Sequence, residues 1–357
     1  MLEAKAGSRD EARKNWETVE TIKELKDGYI SQVVRRLCDL VLCYNAVIVF
    51  EDLNSGFKRG RQKIEKQVYQ KLELALVKKL NYLVNKGASV GDSGHCLNAY
   101  QLTPLVKTFG DIGRQCGIVF YTAAGYTSLT CPQCGYRKNL SFRFESVPKA
   151  HEQIKNAKLD IRFESKEKGF VVSYSLPDGK QQKEYRVYSN VDRVRWHKRG
   201  TEYARINRPG ELVEKNEETQ SGIVKRYQIT NCLVGVFGKN RDYSTRDLLS
   251  ENLSADFYRQ LFRYLDLLLH SRNSVSGTNV DYIQCPACLF HSDSGFQGQA
   301  FNGDANGAYN IARKGLLMVK KIQDSENPEK IQWKDLTVTL DDWDRFVQKQ
   351  YDDEQKK

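Results

Sequence analysis

The chain has 357 residues, 40% of them hydrophobic, and its 56 Lys and Arg residues exceed its 45 Asp and Glu residues to give a formal net charge of +11. This composition excludes an intrinsically disordered chain and allows two domains with cores of their own. The positive charge favours a polyanionic partner such as nucleic acid. No apolar run reaches the roughly 18 residues of a membrane span, and residues 1–20 lack the apolar core of a signal peptide, so we expect no membrane partner. Five of the nine cysteines stand singly, which suits reduced thiols, so we expect a cytoplasmic chain.

The first third of the chain alternates helical and strand patterns. Apolar residues at three- and four-residue steps predict a helix over 9–42, and the apolar run 46–50 predicts a strand. A second amphipathic helix is predicted over 62–84, and after a loop a third over 101–115 precedes a strand within 117–127. This order of elements is typical of an α/β fold with a partly parallel sheet.

The pattern changes between residues 128 and 300. Short alternating strands are predicted over 169–176, 183–189 and 225–230, together with one helix near 255–271. Aromatic residues are frequent in this stretch, and a Cys pair bounds it at each end. We interpret it as an α+β insertion.

An amphipathic helix is predicted again over 304–321, and a short last helix near 340–350. The apolar face of the first of these is assigned to Ala308, Ala312, Leu316 and Val319. The predicted segments are therefore 1–127, 128–300 and 301–357.

Two C-P-x-C motifs carry the strongest metal signal. Cys131 and Cys134 lie in "TCPQCGYRK", and Cys285 and Cys288 lie in "QCPACLF". Each spacing lets a tight turn direct two thiolates at one ion, and four thiolates form the tetrahedral cage that zinc prefers. Such a site has no open coordination position, so the zinc would be structural. Four free thiols, or a redox C-x-x-C motif, are the alternatives.

Two carboxylates stand where metal-dependent chemistry needs them. Glu51 ends the strand of "NAVIVFEDLNSGFKRGRQK", and Asp304 begins a helix. Carboxylates that converge at the end of a sheet hold the two Mg²⁺ ions of phosphodiester hydrolysis. A helix-capping role is the alternative for each acid alone. The basic residues that follow the strand suit a phosphate backbone; they are Lys58, Arg59, Arg61 and Lys63.

Three segments carry a resemblance to a known family. The segments "NAVIVFEDLNSGFKRGRQKIEKQVYQKLELALVKKLNYLV", "LLHSRNSVSGTNVDYI" and "GDANGAYNIARKGL" resemble the second RuvC motif, the Nuc-domain arginine segment and the third RuvC motif of the type V-A CRISPR-associated RNA-guided DNA endonucleases. The segment "ARKNWETVETIKELKDGYISQVV" is similar to the helix that precedes the second motif. The resemblance covers residues 12–84 and 264–317 and is loose over 130–260.

The resemblance implies an incomplete RNase H-like (RuvC) domain interrupted by an α+β Nuc insertion with a zinc knuckle pair. Its activity would be Mg²⁺-dependent cleavage of DNA that a guide RNA has unwound, in prokaryotic antiviral defence. Glu51 and Asp304 take the places of Mg²⁺ ligands, Arg272 that of the Nuc arginine beside the cleavage site, and Asp281 that of an acid near it. The four basic residues after the strand take places close to the nucleic-acid backbone.

Two departures from the family pattern set the further expectations. The first RuvC motif, a strand with an aspartate, is expected before the first helix, and residues 1–20 hold no such strand. We therefore expect a carboxy-terminal portion that needs a missing N-terminal part, with little or no activity alone. The second departure is the Cys pairs, since matching positions of the V-A family often lack cysteine, whereas C-P-x-C knuckles occur in other type V effectors and in their transposon-encoded relatives.

Two alternatives stay open. One is a transposon-encoded RNA-guided nuclease of the same fold, and the other is a zinc-stabilised nucleic-acid-binding module without catalysis. The basic and aromatic run 186–208, which contains Trp196, fits either a surface that stacks unpaired bases or the solvated strands of the insertion.

Overall fold

The computed structural model describes ten stretches of the chain, which are residues 16–52, 62–85, 97–98, 117–178, 181–200, 215–218, 222–238, 242–273, 283–292 and 302–356. The predicted helix over 101–115 and the loop before it lie outside these residues, apart from 97–98. No helix in the described stretches combines the length and the apolar composition needed to cross a bilayer.

The helices and strands follow one another along the chain as α1 (Trp16–Tyr44), β1 (Ile48–Glu51), α2 (Gln62–Tyr82), β2 (Val84–Asn85), β3 (Leu97–Asn98), β4 (Val119–Thr122), α3 (Val147–Ala157), β5 (Asp160–Glu164), β6 (Gly169–Asp178), β7 (Gln181–Tyr188), β8 (Asp192–Lys198), β9 (Lys215–Glu218), β10 (Gly222–Gln228), α4 (Ile229–Phe237), α5 (Thr245–Leu248), α6 (Ala255–Leu268), α7 (Gly303–Gln323) and α8 (Leu340–Gln355). Short 3₁₀ turns lie at Thr127–Leu129, Pro328–Lys330 and Trp333–Leu336.

The chain divides into two compact units. The first contains Met1–Ala124 and Ile311–Val338, and the second contains Gly125–Asn310 and Thr339–Lys357. The last helix thus groups with the residues of the predicted insertion. The assignment of the segments to RuvC and Nuc domains stays a prediction.

The first unit is built on parallel strand pairs. β1 pairs with β4 in parallel from Ile48 and Val119 to Glu51 and Thr122, and β2 pairs with β3 in parallel. The core lies between these strands and helices α1 and α2, and its buried residues are Val34, Cys38, Val41, Leu76, Leu80, Leu97, Ile118 and Val119. The prediction of a mixed α/β fold with parallel strands is confirmed.

The buried face of helix α7 is not the predicted one. Leu316 is 63% exposed, and Ala308 and Ala312 are also exposed. Apart from Gly303 and Gly315, the buried residues of this helix are mostly polar: they are Asn306, Asn310, Arg313, Lys314 and Met318. The prediction was wrong because the helix buries side chains that donate to backbone carbonyls, and a pattern of apolar residues does not report such contacts.

A glycine allows α7 to approach strand β1 closely. A Cβ atom at Gly315 would lie 2.3 Å from Cγ2 of Val49, far inside van der Waals contact. The helix therefore packs with its backbone against the strand that carries Glu51.

The second unit contains two antiparallel sheets with strand orders β5-β6-β7 and β8-β10-β9. The three predicted strands of this region correspond to β6, β7 and β10, although Ile229 already begins helix α4. Part of the basic and aromatic run forms β8, where Arg193 and Val194 are buried in the core. Helix α6 begins at an N-cap, where Oγ of Ser254 accepts a hydrogen bond from N of Phe257.

We predict that Gly315→Ala destabilises the protein, because the added methyl group would overlap Val49. Overpacking of this kind lowers the free energy of unfolding by about 1–3 kcal/mol. Gly28→Ala in helix α1 is the matched control, since nothing lies within 4 Å of the added Cβ there. Ala is the better helix former, so the control should gain up to about 1 kcal/mol. Urea denaturation followed by circular dichroism measures both, and equal stability of Gly315→Ala and the parent chain would contradict the packing.

Candidate functional site

The carboxyl end of the β1 and β4 pair carries two acids in sequence. Glu51 is the last residue of β1 and its side chain is exposed. N of Asp52 donates to O of Thr122 over 2.8 Å, which extends the pairing by one residue. Desolvation raises the pKa of Glu51, repulsion from Asp52 raises it further, and Lys314 acts in the opposite direction. The Glu51 carboxylate at the end of the strand is therefore influenced by one negative and one positive charge.

Lys314 places a buried cation beside this strand end. It lies on helix α7 with a relative exposure of 2%, and its Nζ donates to O of Ala123 over 2.6 Å. A buried ammonium group is costly unless it is hydrogen-bonded, and here the carbonyl of Ala123 accepts its hydrogen bond. The sequence pattern does not identify Lys314, because nothing in an amphipathic pattern separates a buried lysine from a solvated one.

Glu73 is a third acid of the first unit. This α2 residue is 5% exposed, and desolvation together with the nearby Asp52 raises its pKa to about 7. The Tyr121 hydroxyl and Oγ1 of Thr122 are also buried and have no hydrogen-bond partner among the described residues. Unsatisfied buried polar groups beside perturbed carboxyls are typical of functional sites. Sequence patterns do not reveal Glu73, which lies among the apolar positions of α2.

In the second unit, Asp304 is exposed in the first turn of α7. Oδ1 of Asn302 accepts a hydrogen bond from N of Ala305 over 2.7 Å at the start of this helix. The amide groups of Asn306 and Asn310 are fully buried and donate to carbonyls of the Thr127–Leu129 turn and of Thr130. Asp304 thus lies on a helix whose following residues, Asn306 and Asn310, are hydrogen-bonded to the Thr127–Leu129 turn.

The segment that carries Arg272 is hydrogen-bonded to the same Thr127–Leu129 turn. Oγ of Ser271, the preceding residue, donates to O of Leu129. Nη1 of Arg195 donates to O of Arg272 over 3.1 Å, and Arg272 forms a β-bridge with Ile283. The structure therefore brings the segments that carry Asp304 and Arg272 to one turn of the second unit.

The side chains of the other predicted catalytic and nucleic-acid-binding residues are not among those that the structure describes. Asp281, Lys58, Arg59 and Arg61 lie outside the described residues. Lys63 belongs to helix α2, of which only the backbone is described at this position. Their predicted roles stay predictions.

The four cysteines of the C-P-x-C motifs converge on one point in the second unit. Their sulfur atoms lie within 4.8 Å of one another, with 3.7 Å between Cys131 and Cys288 and 3.6 Å between Cys134 and Cys285. These distances are far longer than the roughly 2.05 Å of a disulfide bond. They match the edge of about 3.8 Å in a tetrahedron with zinc–sulfur bonds of about 2.3 Å. The set of donors fits a structural zinc ion.

Both knuckles use the same backbone conformation. The residue after the second cysteine is left-handed in each, with φ of 76° at Gly135 and 58° at Leu289. N of Cys131 donates to O of Tyr136, and N of Cys285 donates to O of Phe290, both over 2.8 Å. Burial raises the pKa of the Cys285 thiol, so a cation is needed to hold this thiolate in place.

Among the described residues, these four cysteines are the group of three or more Cys, His, Asp or Glu side chains able to share an ion. Glu51 and Asp304 belong to different compact units, and each is described within its own. Carboxylates are nevertheless the donors that Mg²⁺ prefers, so the chemistry of these two residues fits that ion.

We predict that the stability of the parent chain falls relative to Glu73→Gln as the pH rises. A carboxyl pKa of about 7 in the folded state, against an ordinary value of 4.5, means that the folded chain holds this proton more tightly than the unfolded chain. This stabilisation is complete below pH 4.5 and is lost as the pH passes 7, a change of about 3 kcal/mol. Urea denaturation at pH 4.5 and pH 8 measures the difference. Glu24→Gln, at an exposed position of α1, is the control, and a pH-independent difference for Glu73→Gln would contradict the buried carboxyl.

Comparison with families of known proteins matches residues 1–352 to the RuvC nuclease domain. The match spans nearly the whole chain and includes both acids, Arg272 and all four cysteines. It confirms the prediction of a RuvC nuclease, a hydrolase class that generally uses divalent metal ions. The chain therefore belongs to the RuvC nuclease domain family.

Proposed function

We propose that the chain is the RuvC and Nuc portion of a type V-A CRISPR-associated effector, an RNA-guided endonuclease that hydrolyses phosphodiester bonds of DNA. The observation that carries this proposal is the RuvC nuclease match over residues 1–352. The resemblance of the segments around Glu51, Arg272 and Asp304 to the type V-A motifs supports the finer assignment.

In this proposal Glu51 and Asp304 hold Mg²⁺, and a third carboxylate comes from the first RuvC motif on an N-terminal part of the effector. The bound ions would activate the attacking water and neutralise the charge that develops on the phosphate oxygens. The exposure of both side chains, one at a strand end and one in the first turn of a helix, supports this role. The positive charge of Lys314 favours the charged, metal-binding form of Glu51.

Arg272 orients the phosphate group of the DNA strand. Its guanidinium group can bind a phosphate through two hydrogen bonds, which the single ammonium of a lysine cannot do. The contacts of Ser271 and Arg195 fix the backbone on both sides of this residue, and such preorganisation is what a positioning group needs. Asp281 is proposed to lie near the same phosphate.

The proposed partners are guide RNA, target DNA and the N-terminal part of the effector, and the proposed location is the cytoplasm of a prokaryote. The basic residues Lys58, Arg59, Arg61 and Lys63 would contact the nucleic-acid backbone. The net charge of +11 supports a polyanionic partner.

We further propose that the four cysteines hold one structural zinc ion, and we predict one zinc per chain by metal analysis. Cys285→Ser should remove the ion and lower the midpoint of thermal unfolding by about 10 °C or more, because zinc binding contributes directly to folding. Cys43→Ser is the control, since Cys43 is exposed and lies outside the cluster. A parent chain that contains no zinc after purification without chelators would reject the site.

For the nuclease, we predict that the chain combined with a segment carrying the first RuvC motif cleaves single-stranded DNA in Mg²⁺. Glu51→Ala and Asp304→Ala should each reduce the cleavage rate by about 100-fold or more, because each removes a metal ligand. Glu24→Ala and Glu164→Ala remove exposed acids of the first and second unit and should leave the rate unchanged. Cleavage that survives Glu51→Ala would contradict the assignment. DNA binding without cleavage in every mixture would favour a non-catalytic module.

A further inference from the structure

We propose that Tyr126, supported by Arg137, is a stacking site for one unpaired base of single-stranded DNA. The inference deepens the proposed function and rests on it for the identity of the ligand. It names the part of the surface that would hold a nucleotide of the substrate beside the segments of Asp304 and Arg272.

The backbone of Tyr126 is held in an uncommon conformation. Its φ of 64° and ψ of 0° are left-handed, which a bulky residue rarely adopts. Its carbonyl accepts hydrogen bonds from N of Leu129 over 3.1 Å and from Oγ1 of Thr130 over 2.9 Å. Strained conformations of this kind persist where the surroundings determine them, and they cluster at functional sites. The ring is therefore presented from a fixed backbone.

Arg137 supports the ring. The Cζ atom of Arg137 lies 4.3 Å from the centroid of the Tyr126 ring, and Nη2 of Arg137 donates to Oδ2 of Asp344 over 2.7 Å. Tyr126 as a whole is still 48% exposed. A ring with a guanidinium on one side and free surface elsewhere is the arrangement on which bases of any sequence stack.

The position of Tyr126 connects it to the predicted site residues. It immediately precedes the Thr127–Leu129 turn. The amide of Asn306, two residues after Asp304, donates to the carbonyls of this turn, and the hydroxyl of Ser271 donates to O of Leu129. A base stacked on Tyr126 would thus place its own phosphate near the segments of an acid and an arginine, as a nuclease needs.

The test is binding of the full-length chain to a fluorescent single-stranded DNA, without added Mg²⁺ so that no cleavage is required. Tyr126→Gly is the main variant, because glycine adopts the left-handed conformation freely and removes only the ring. We expect its affinity to fall about 10-fold to 100-fold, the effect of losing one stacked base. Tyr126→Trp should bind like the parent chain. Tyr44→Ala is the control, since Tyr44 is 72% exposed and precedes β1, at the opposite end of the strand from Glu51.

A second substrate separates stacking from other causes. A strand of the same length with abasic sites keeps every phosphate, so the parent chain and Tyr126→Gly should bind it equally. Equal binding of the normal strand by both chains, or an equal loss on both strands, would overturn the stacking site. Because binding is measured without cleavage, a chain that shows the base-dependent loss but never cuts DNA would retain this site and lose the nuclease assignment. A chain that cuts DNA but binds it independently of Tyr126 would do the reverse.

Discussion

The structure depends on the hydrogen bonds that polar side chains of helix α7 donate to backbone carbonyls. In the second unit, the amides of Asn306 and Asn310 satisfy the carbonyls of the Thr127–Leu129 turn and of Thr130. In the first unit, Lys314 satisfies the carbonyl of Ala123, just after β4. The three donor side chains are buried, and a buried polar group without a partner costs about 1–3 kcal/mol. Within each unit, residues of α7 thus donate to a backbone segment next to a predicted site residue.

This arrangement explains which parts of the fold and site the sequence could predict. The C-P-x-C spacing is a local constraint, so the cysteines were identified although Cys131 and Cys288 are separated by 157 positions. Strand ends are also local, which is why the position of Glu51 at the end of β1 could be predicted. The face of α7 was assigned wrongly because its contacts are with distant carbonyls, and no count of apolar residues reports them. Sequence patterns did not point to Glu73 or Tyr126 either. The burial of Glu73 and the backbone conformation of Tyr126 are set by the folded structure.

The two Cys knuckles share one backbone conformation although the residue after the second cysteine differs between them. Gly135 adopts a positive φ without strain, and its lack of a side chain is also required because a Cβ would lie 2.5 Å from O of Val347. Leu289 adopts a similar φ at the matching position of the second knuckle, where a leucine side chain is tolerated at some conformational cost. The two knuckles therefore share a positive φ after the second cysteine, while glycine is required only at position 135. A sequence search for glycine after the second cysteine would find only one knuckle.

Some of the basic residues stabilise the fold and are not exposed to a nucleic acid. Arg193 is fully buried, and its guanidinium donates to the carbonyls of Asp192, Leu267 and Leu268, which closes the carboxyl end of helix α6. Burial and the nearby cations Arg195, Lys138 and Arg193 lower the pKa of His270 to about 3, so this histidine is neutral at physiological pH. The net charge already counts histidines as neutral but includes the buried Arg193, so it overstates the charge that faces a polyanion. If the proposed nucleic-acid partner binds, we expect it where a cation meets an exposed aromatic ring, as at Tyr126 with Arg137.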